Sequence, residues 1–315
     1  MGYISFFVFI LALVLILKGG ELLVEASVWF ARKTAIPPMV VGATIVAIAT
    51  TFPETSVSII SGIKGAQELA VNTALGAMIC NFALVLGLSF ICKPSCITKE
   101  SFITKAIFFT VSLVVLFIVS LDGKLGLVDA LIMLSIFVLF IISSFNEAKK
   151  ESTEILEMEQ SPPGWIKIVI QFFISAMAVG YGANAIVSNV ESLSQLVGIS
   201  EGILGLLVVS IGTNIPEFVT TISSIKLNNA DIGIGNIFGS SIIDSTMLIA
   251  LTILASKQKQ VSIPIGVLLL TFFALVLVTA VIVFPILKRG KSNRLQGFFL
   301  IVIFICYSLL MYKIS

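Results

Sequence analysis

Apolar residues in this chain come in long runs broken at glycine, proline and small clusters of charge. IFFTVSLVVLFIVSL (107–121) and IGVLLLTFFALVLVTAVIVF (265–284) are two of them. Runs near 20 residues are long enough to cross the roughly 30 Å hydrocarbon layer of a membrane as helices. The alternating ten-residue strands that a closed barrel needs are absent. Dividing the chain at its breakers predicts ten spans, at 3–31, 38–63, 69–91, 102–121, 125–145, 164–195, 202–225, 232–255, 263–284 and 295–312. The expected fold class is an all-α polytopic membrane protein. The first and sixth spans are long and interrupted by polar or small residues, which predicts strong tilt or a bend. NEAKKESTEILEMEQSPP (146–163) is charged, ends in two prolines and is too short for a domain, so it reads as a solvated linker. It separates a first five-span half (1–145) from a second (164–315).

Composition agrees. Only 11% of the 315 residues are charged and 58% are hydrophobic, against roughly 25% charged in a soluble domain. The first run, Ile4 to Leu17, lacks a basic start and is followed by GGELLVEASVWFARK. It reads as a spanning helix rather than a removable leader. Connections after odd-numbered spans carry Arg32, Lys33, Lys93, Lys99, Lys105, Lys149, Lys150, Lys167, Lys226, Lys288, Arg289, Lys291 and Arg294. The opposite side has Lys64, Lys124, Lys257, Lys259 and Lys313. The positive-inside rule then puts the first group in the cytoplasm and both termini outside a cell membrane.

Two of the apolar runs contain a helix breaker beside a carboxylate: IATTFPETSV (48–57) and IGTNIPEFVT (211–220). Laying 19–91 over 182–254 aligns them without a gap. An offset of 163 carries Gly42 to Gly205, Thr50 to Thr213, Pro53 to Pro216, Glu54 to Glu217, Gly76 to Gly239, Ala77 to Ser240 and Asn81 to Asp244. Each half has an odd number of spans, so the second copy enters the membrane from the opposite side. Inverted repeats of this kind are a transporter architecture, with the binding site near mid-membrane where the copies meet.

Proline lacks the amide hydrogen its helix needs and crowds the carbonyl four residues earlier. Pro53 and Pro216 are therefore expected to open the backbone, redirecting carbonyls such as those of Ala47 and Ser210. A carboxylate in hydrocarbon costs at least ~3 kcal/mol and is kept only when paired or functional. No Lys or Arg lies at comparable depth in spans 2, 3, 7 or 8. Glu54 and Glu217, with Thr50, Thr213 and freed carbonyls, would form an all-oxygen shell suited to Ca²⁺ or Na⁺ and not to zinc or copper. The partner segments NTALGAMICN (72–81) and GNIFGSSIID (235–244) add Asn81, Asp244 and Ser240, with Gly76 and Gly239 allowing close approach. Taken singly, such Ser, Thr or Asn residues also serve as interhelical glue. Glu21 and Glu25, with Lys18 at helical spacing, read as an ion-pair or vestibule feature, and Asp122 and Asp129 as solvated turn residues. Cys80, Cys92, Cys96 and Cys306 show no metal-like pairing, and there is no histidine.

GATIVAIATTFPET (42–55) with NTALGAMICNFALVLG (72–87), and GLLVVSIGTNIPEF (205–218) with GNIFGSSIIDSTMLIA (235–250), resemble the two α-repeats of the Ca²⁺/cation antiporter superfamily, prokaryotic sodium/calcium exchangers above all. The resemblance covers essentially the whole chain. It implies helices 2, 3, 7 and 8 packed around four cation positions, with Glu54 and Glu217 shared by Ca²⁺ and Na⁺. Thr50 and Thr213 would give hydroxyl and carbonyl oxygens beside the Ala47 and Ser210 carbonyls, and Asn81 and Asp244 would complete the centre. Helices 1 and 6 would slide across this core. The chain departs from the pattern in having Ala77 for a serine, Thr51 for a serine and Asn214 for another, while Ser240 is retained.

The expected function is antiport of Na⁺ for Ca²⁺ by alternating access, normally extruding Ca²⁺. Glu54, Glu217 and Asp244 bring up to three negative charges, which three Na⁺ balance, or one Ca²⁺ with one proton, expected on Asp244. An empty, charged site would cross the membrane poorly, and this penalty couples the fluxes. The nearest alternative is H⁺/Ca²⁺ exchange at the same site, with K⁺ dependence a further one. An intramembrane hydrolase would need a nucleophile or activated water, and no His, HExxH or GxSxG is present, so no enzymatic activity is expected. A channel would share the ligands but pass ions passively. No cofactor beyond the transported ions, no nucleic acid and no obligatory protein partner is implied.

Overall fold

The structure is a computed structural model that describes residues 2–64, 67–151, 163–188, 214–263 and 265–314. Helix α1 (Gly2–Thr34) leads into a rod in which α2 (Pro38–Val41), a π-helical turn (Gly42–Val46) and α3 (Ala47–Lys64) run on without a break. A second composite rod joins α4 (Gln67–Ile79), a π turn (Cys80–Val85) and α5 (Leu86–Cys92). Then come α6 (Lys99–Val119), α7 (Leu127–Glu151) and α8 (Trp165–Ser188). The later described elements are α9 (Ile215–Lys226), the composite of α10 (Ala230–Ile243), a π turn (Asp244–Leu248) and α11 (Ile249–Ala255), and finally α12 (Ile265–Arg289) and α13 (Arg294–Ile314). Strands β1 (Lys124–Leu125) and β2 (Val261–Ser262) form one short antiparallel pair.

Among the described residues, seven helical stretches are long and apolar enough to cross a membrane: Ala70–Cys92, Lys99–Val119, Leu127–Lys150, Trp165–Gly182, Ala230–Ala255, Ile265–Arg289 and Arg294–Met311. They fall on the third to sixth and eighth to tenth expected spans. The other three expected spans fall on α1, on the 38–64 rod and on α9, with the start of the seventh (202–213) outside the described residues. One boundary moves. α7 runs to Glu151, so the linker expected to begin at 146 starts as helix. Lys149 and Lys150 in its last turn suit the negative helix end. Glu147 is held by Lys105 and Ser101 at the start of α6, both at 2.5 Å.

Contacts between the connecting segments sort them into two ends. At one end Lys33 donates to the Pro163 carbonyl (2.8 Å), Lys93 to Asn228 (2.6 Å), Thr98 to Asp231 (2.5 Å) and the Ile97 amide to the Gly290 carbonyl (3.0 Å). These segments all follow odd-numbered spans. At the other end β1 pairs with β2, and the Ile263 amide reaches the Gly123 carbonyl at 2.9 Å. Both of those follow even-numbered spans.

The interior is packed around α10. Phe238 meets Phe82 and Phe102 edge-on, with centroids 4.8 and 5.3 Å apart. On its other face α10 touches the 38–64 rod backbone to backbone. A methyl group on Gly42 would come within 2.1 Å of the Ile232 carbonyl oxygen, and one on Gly235 or Gly239 within 2.3 and 2.1 Å of the Met39 and Ala43 oxygens. Glycine here is a requirement of close approach. α1 and α8 also meet at glycines, but against side chains. Gly19 lies against Val179, and Gly182 against Ile16. Residues 16 and 179, and 19 and 182, are each 163 apart, so one contact is the image of the other.

Gly239→Val is expected to destabilise the fold by about 3 kcal/mol or more, because backbone atoms of Ala43 cannot yield. Gly126→Ala, whose methyl would have Asp129 3.7 Å away, should stay within about 0.5 kcal/mol of the parent. Thermal unfolding of the purified proteins in detergent checks the contrast.

Candidate functional site

Glu217 lies in the first turn of α9, where the positive end of the helix dipole favours a carboxylate. Pro216 stands just before it at the helix start, a position with no amide bond to lose. Pro53 behaves differently from expectation. It falls inside α3, which continues through it, and the wide turn of that rod lies upstream at Gly42–Val46. Threonine hydroxyls stitch the backbone here. Thr50 and Thr51 both donate to the Ala47 carbonyl, at 3.2 and 2.5 Å, and Thr55 donates to the Thr51 carbonyl at 2.9 Å. These hydroxyls engage the Ala47 and Thr51 carbonyls, the Ala47 oxygen twice, and not the Ala49 carbonyl that Pro53 leaves without its helical donor.

The expected site residues that are described gather in the middle of the bundle. Glu217, Asp244 and Ser240 are fully buried, and Asn81, Thr50, Thr51, Asn214 and Ala47 nearly so. Glu54 is half-buried. Thr213 and Ser210 lie outside the described residues. The Thr50 hydroxyl faces the Glu217 carboxylate. Glu217 is close enough to Asp244 for their charges to interact, and the buried Cys80 is similarly close to both Glu54 and Glu217. Among the described residues, no three Asp, Glu, His or Cys side chains form a ready-made metal cluster. A metal ion here would have to draw on hydroxyl, amide and carbonyl oxygens as well as carboxylates.

The electrostatic character of the place is set by acceptors without donors. All four carboxylate oxygens of Glu217 and Asp244, and the side-chain oxygen of Asn81, are buried and have no well-formed hydrogen bond among the described residues. Buried polar atoms are normally satisfied, and each exception needs an explanation. Part of the explanation is a broken symmetry. The Asn81 amide donates to the Ser240 hydroxyl at 3.2 Å. Moved by 163 residues, that pair becomes Asp244 and Ala77, and alanine offers no hydroxyl. Asn81 and Asp244 both belong to π turns, Cys80–Val85 and Asp244–Leu248. A π turn is a widening found often at functional sites.

A narrow crevice lined by Leu23, Ala49, Thr50, Ala176, Val179, Gly180 and Pro216 lies between this centre and the α1–α8 pair. Other acids stand apart. Lys18 pairs with Glu21 at 2.9 Å on the exposed surface, and Gln171 bonds Glu25 at 3.1 Å. Asp122 and Asp129 bond the backbone amides of Lys124 and Gly126 in a turn. The four cysteines are free.

Sequence reasoning missed Asn236. It is fully buried on α10, accepts a hydrogen bond from Thr50 at 3.2 Å, and its amide nitrogen has no acceptor. The available signal was an amide in GNIFGSSIID whose image at offset 163, Thr73, is a different polar residue.

The model of the sodium/calcium exchanger protein family matches residues 4–146 and 167–313. The inner membrane protein YrbG of Escherichia coli is 30% identical over 258 residues, covering 79% of each chain. The uncharacterized membrane protein MJ0091 of Methanocaldococcus jannaschii is 26% identical over 94% of each, and the sodium/calcium exchanger MaX1 of Methanosarcina acetivorans 21% over 99% of each. A solved structure of the sodium-calcium exchanger NCX_Mj superposes with a TM-score of 0.83 at 24% identity, covering 97% of this chain and 98% of the other, so the two share a fold. With a polytopic helical fold and a matched family model over nearly its whole length, the chain belongs to the sodium/calcium exchanger family of membrane transporters.

Proposed function

We propose that this protein is a secondary antiporter of the cell membrane that exchanges Na⁺ for Ca²⁺ by alternating access, with inward Na⁺ flow normally driving Ca²⁺ out. The observation that carries the reading is the pair of fully buried carboxylates, Glu217 and Asp244, whose oxygens accept no well-formed hydrogen bond among the described residues. Charge buried this way is tolerated where a cation supplies the missing partner. The family and the exchanger MaX1 are named for Na⁺ and Ca²⁺, which supports these two ions as the cargo.

In this reading the chain has ten spanning helices in two inverted halves, 1–145 and 164–315, joined by the 146–163 segment. The imaged contacts of Gly19 with Val179 and Gly182 with Ile16, and the imaged π turns, support it. The Lys- and Arg-rich end is cytoplasmic and both termini are outside. Glu54, Glu217, Thr50 and Thr213 hold the Ca²⁺ ion. Asn81, Asp244, Ser240, Thr51 and Asn214, with the Ala47 and Ser210 carbonyls, extend the shell for Na⁺. Pro53 and Pro216 keep the motif backbones in the shape the site needs. Three Na⁺ balance three carboxylates, and one Ca²⁺ with one retained proton does the same. An uncompensated carboxylate is expensive in the bilayer, so the site changes sides loaded. The crevice between Thr50 and the α1–α8 pair lies where those two helices would slide.

A second reading, H⁺/Ca²⁺ exchange, is favoured by one observation: Ala77 leaves Asp244 without the hydroxyl partner that Asn81 has in Ser240. Coupling to K⁺ would use the same carboxylates.

Na⁺-loaded vesicles carrying the protein are expected to take up ⁴⁵Ca²⁺ when diluted into Na⁺-free buffer at clamped pH. Uptake that needs a proton gradient and ignores Na⁺ replaces Na⁺ coupling with H⁺ coupling, and a K⁺ requirement adds K⁺ to the cycle. Glu217→Gln should lower Ca²⁺ uptake on the order of 100-fold, since it removes one charge of a buried set. Near-normal exchange in that variant would remove Glu217 from the site. Ala77→Ser should strengthen apparent Na⁺ affinity about fivefold, one hydrogen bond's worth, read from the Na⁺ dependence of ⁴⁵Ca²⁺ release.

A further inference from the structure

Asn236 is the buried polar residue of this region that the exchange mechanism does not yet use. It stands on α10 between Gly235 and Gly239, the two glycines that set α10 backbone against Met39 and Ala43. Its position relative to the 38–64 rod is therefore fixed by main-chain contact rather than by flexible side chains. From there its side-chain oxygen reaches the Thr50 hydroxyl at 3.2 Å.

Thr50 has a choice of acceptors. Its hydroxyl also lies 3.2 Å from the Ala47 carbonyl oxygen, which in turn accepts from Thr51 at 2.5 Å. A hydroxyl carries one proton and can give it to one acceptor at a time, whereas a carbonyl oxygen has two lone pairs. The same Thr50 hydroxyl faces the Glu217 carboxylate, a third and charged acceptor. A Thr50 proton given to Glu217 would lie between the two oxygens, where a cation bridging them must sit. With the proton on Asn236, the Thr50 oxygen and the Glu217 carboxylate are both left open to the ion.

We propose that Asn236 is a positioning residue of the cation site: it takes the Thr50 hydroxyl proton, so that the Thr50 oxygen and the Glu217 carboxylate are both left open to the ion. This rests on the reading of Thr50 as a cation ligand. The role is specific to one half of the molecule, because the residue at the imaged position is Thr73, whose side chain is shorter.

The test is a double-mutant cycle on the full-length protein in detergent, with Ca²⁺ alone as the probe. Half-saturation is read from Ca²⁺-dependent thermal stabilisation, a measure of binding that needs no transport. Asn236→Leu and Thr50→Val are each expected to raise the half-saturating Ca²⁺ concentration about five- to tenfold, with the unfolding midpoint in the absence of Ca²⁺ moving much less. The double variant should match Thr50→Val alone, since the asparagine then has nothing to orient. In vesicles Asn236→Leu should raise half-saturating Ca²⁺ by more than it lowers the maximal ⁴⁵Ca²⁺ flux. Asn236→Ser, which is small and too short to reach Thr50, is expected to behave as Asn236→Leu does, and stands in for it if leucine prevents folding. Unchanged affinity in either Asn236 variant, or effects that multiply in the double variant, would overturn the proposal. If the parent protein binds Ca²⁺ but shows no Na⁺-driven uptake, the antiport reading fails while the cycle still decides the role of Asn236. Thr50→Val with parental affinity would remove Thr50 from the site, and with it the basis of both.

Discussion

The arrangement of this molecule turns on carboxylate oxygens held among apolar helices. Glu217 and Asp244 are fully buried, and among the described residues none of their four oxygens accepts a well-formed hydrogen bond, although the Thr50 hydroxyl faces Glu217. A bundle this apolar could have neutralised them with lysine or arginine. Elsewhere it does so, since Lys105 is fully buried against Glu147. Among the described residues no ion pair joins a basic side chain to the central pair, which leaves that charge to be met by something else. Selecting mobile cations over a fixed one is what separates a transport site from a structural ion pair.

Holding unsatisfied charge in place demands rigidity around it, and the helices supply this through backbone contact. Gly42, Gly235 and Gly239 bring α10 and the 38–64 rod so close that no methyl group fits between them. The two segments carrying Thr50 and Asp244 are therefore registered against each other with little freedom to collapse over the carboxylates. The α1–α8 crossing is also built on glycine, but the small groove at Gly19 and Gly182 is filled by aliphatic side chains, Val179 and Ile16. Side chains in a groove slide and repack more readily than interlocked main chain. Under the proposed mechanism this contrast would separate a stiff centre from a pair of helices that slide across it, the mechanical division that alternating access requires.

Much of this was legible in the sequence, because hydrophobic run length and the 163-residue offset are both set by physics that composition exposes directly. The buried positions of Glu217, Asp244, Asn81 and Ser240 follow from those two features. The local backbone did not follow. A proline at position 53 suggested an open helix, but threonines at 50, 51 and 55 return their hydroxyls to backbone carbonyls and the rod stays closed. The π turns carry no marker residue and could not be placed from sequence. Charged residues after 145 looked like linker, although Glu147 is tied to α6 by a buried lysine and extends α7 to Glu151. Asn236 was passed over for a different reason. An isolated amide in a glycine-rich span is ordinarily interhelical glue, and only its contact with Thr50 distinguishes it.

The departures from symmetry are as informative as the symmetry. An inverted repeat by itself would give two equivalent half-sites and no preference between the faces of the membrane. In this chain the image of the Asn81–Ser240 hydrogen bond falls on Asp244 and Ala77, and the image of Asn236 falls on Thr73. One exchanges an amide–hydroxyl pair for a bare carboxylate, the other an amide for a hydroxyl. Under the proposed mechanism, the Thr50 half presents oxygens already oriented by a buried amide. The Asp244 half presents full charge with little local support. An ion entering on the first side meets a preorganised shell, and one entering on the second meets a stronger field that must order its own ligands. Divalent and monovalent cations weigh those two qualities differently, because attraction to a carboxylate scales with ionic charge while coordination by neutral oxygens depends mainly on fit. Unequal halves of this kind allow one set of oxygens to discriminate two cargoes without requiring separate sites for them.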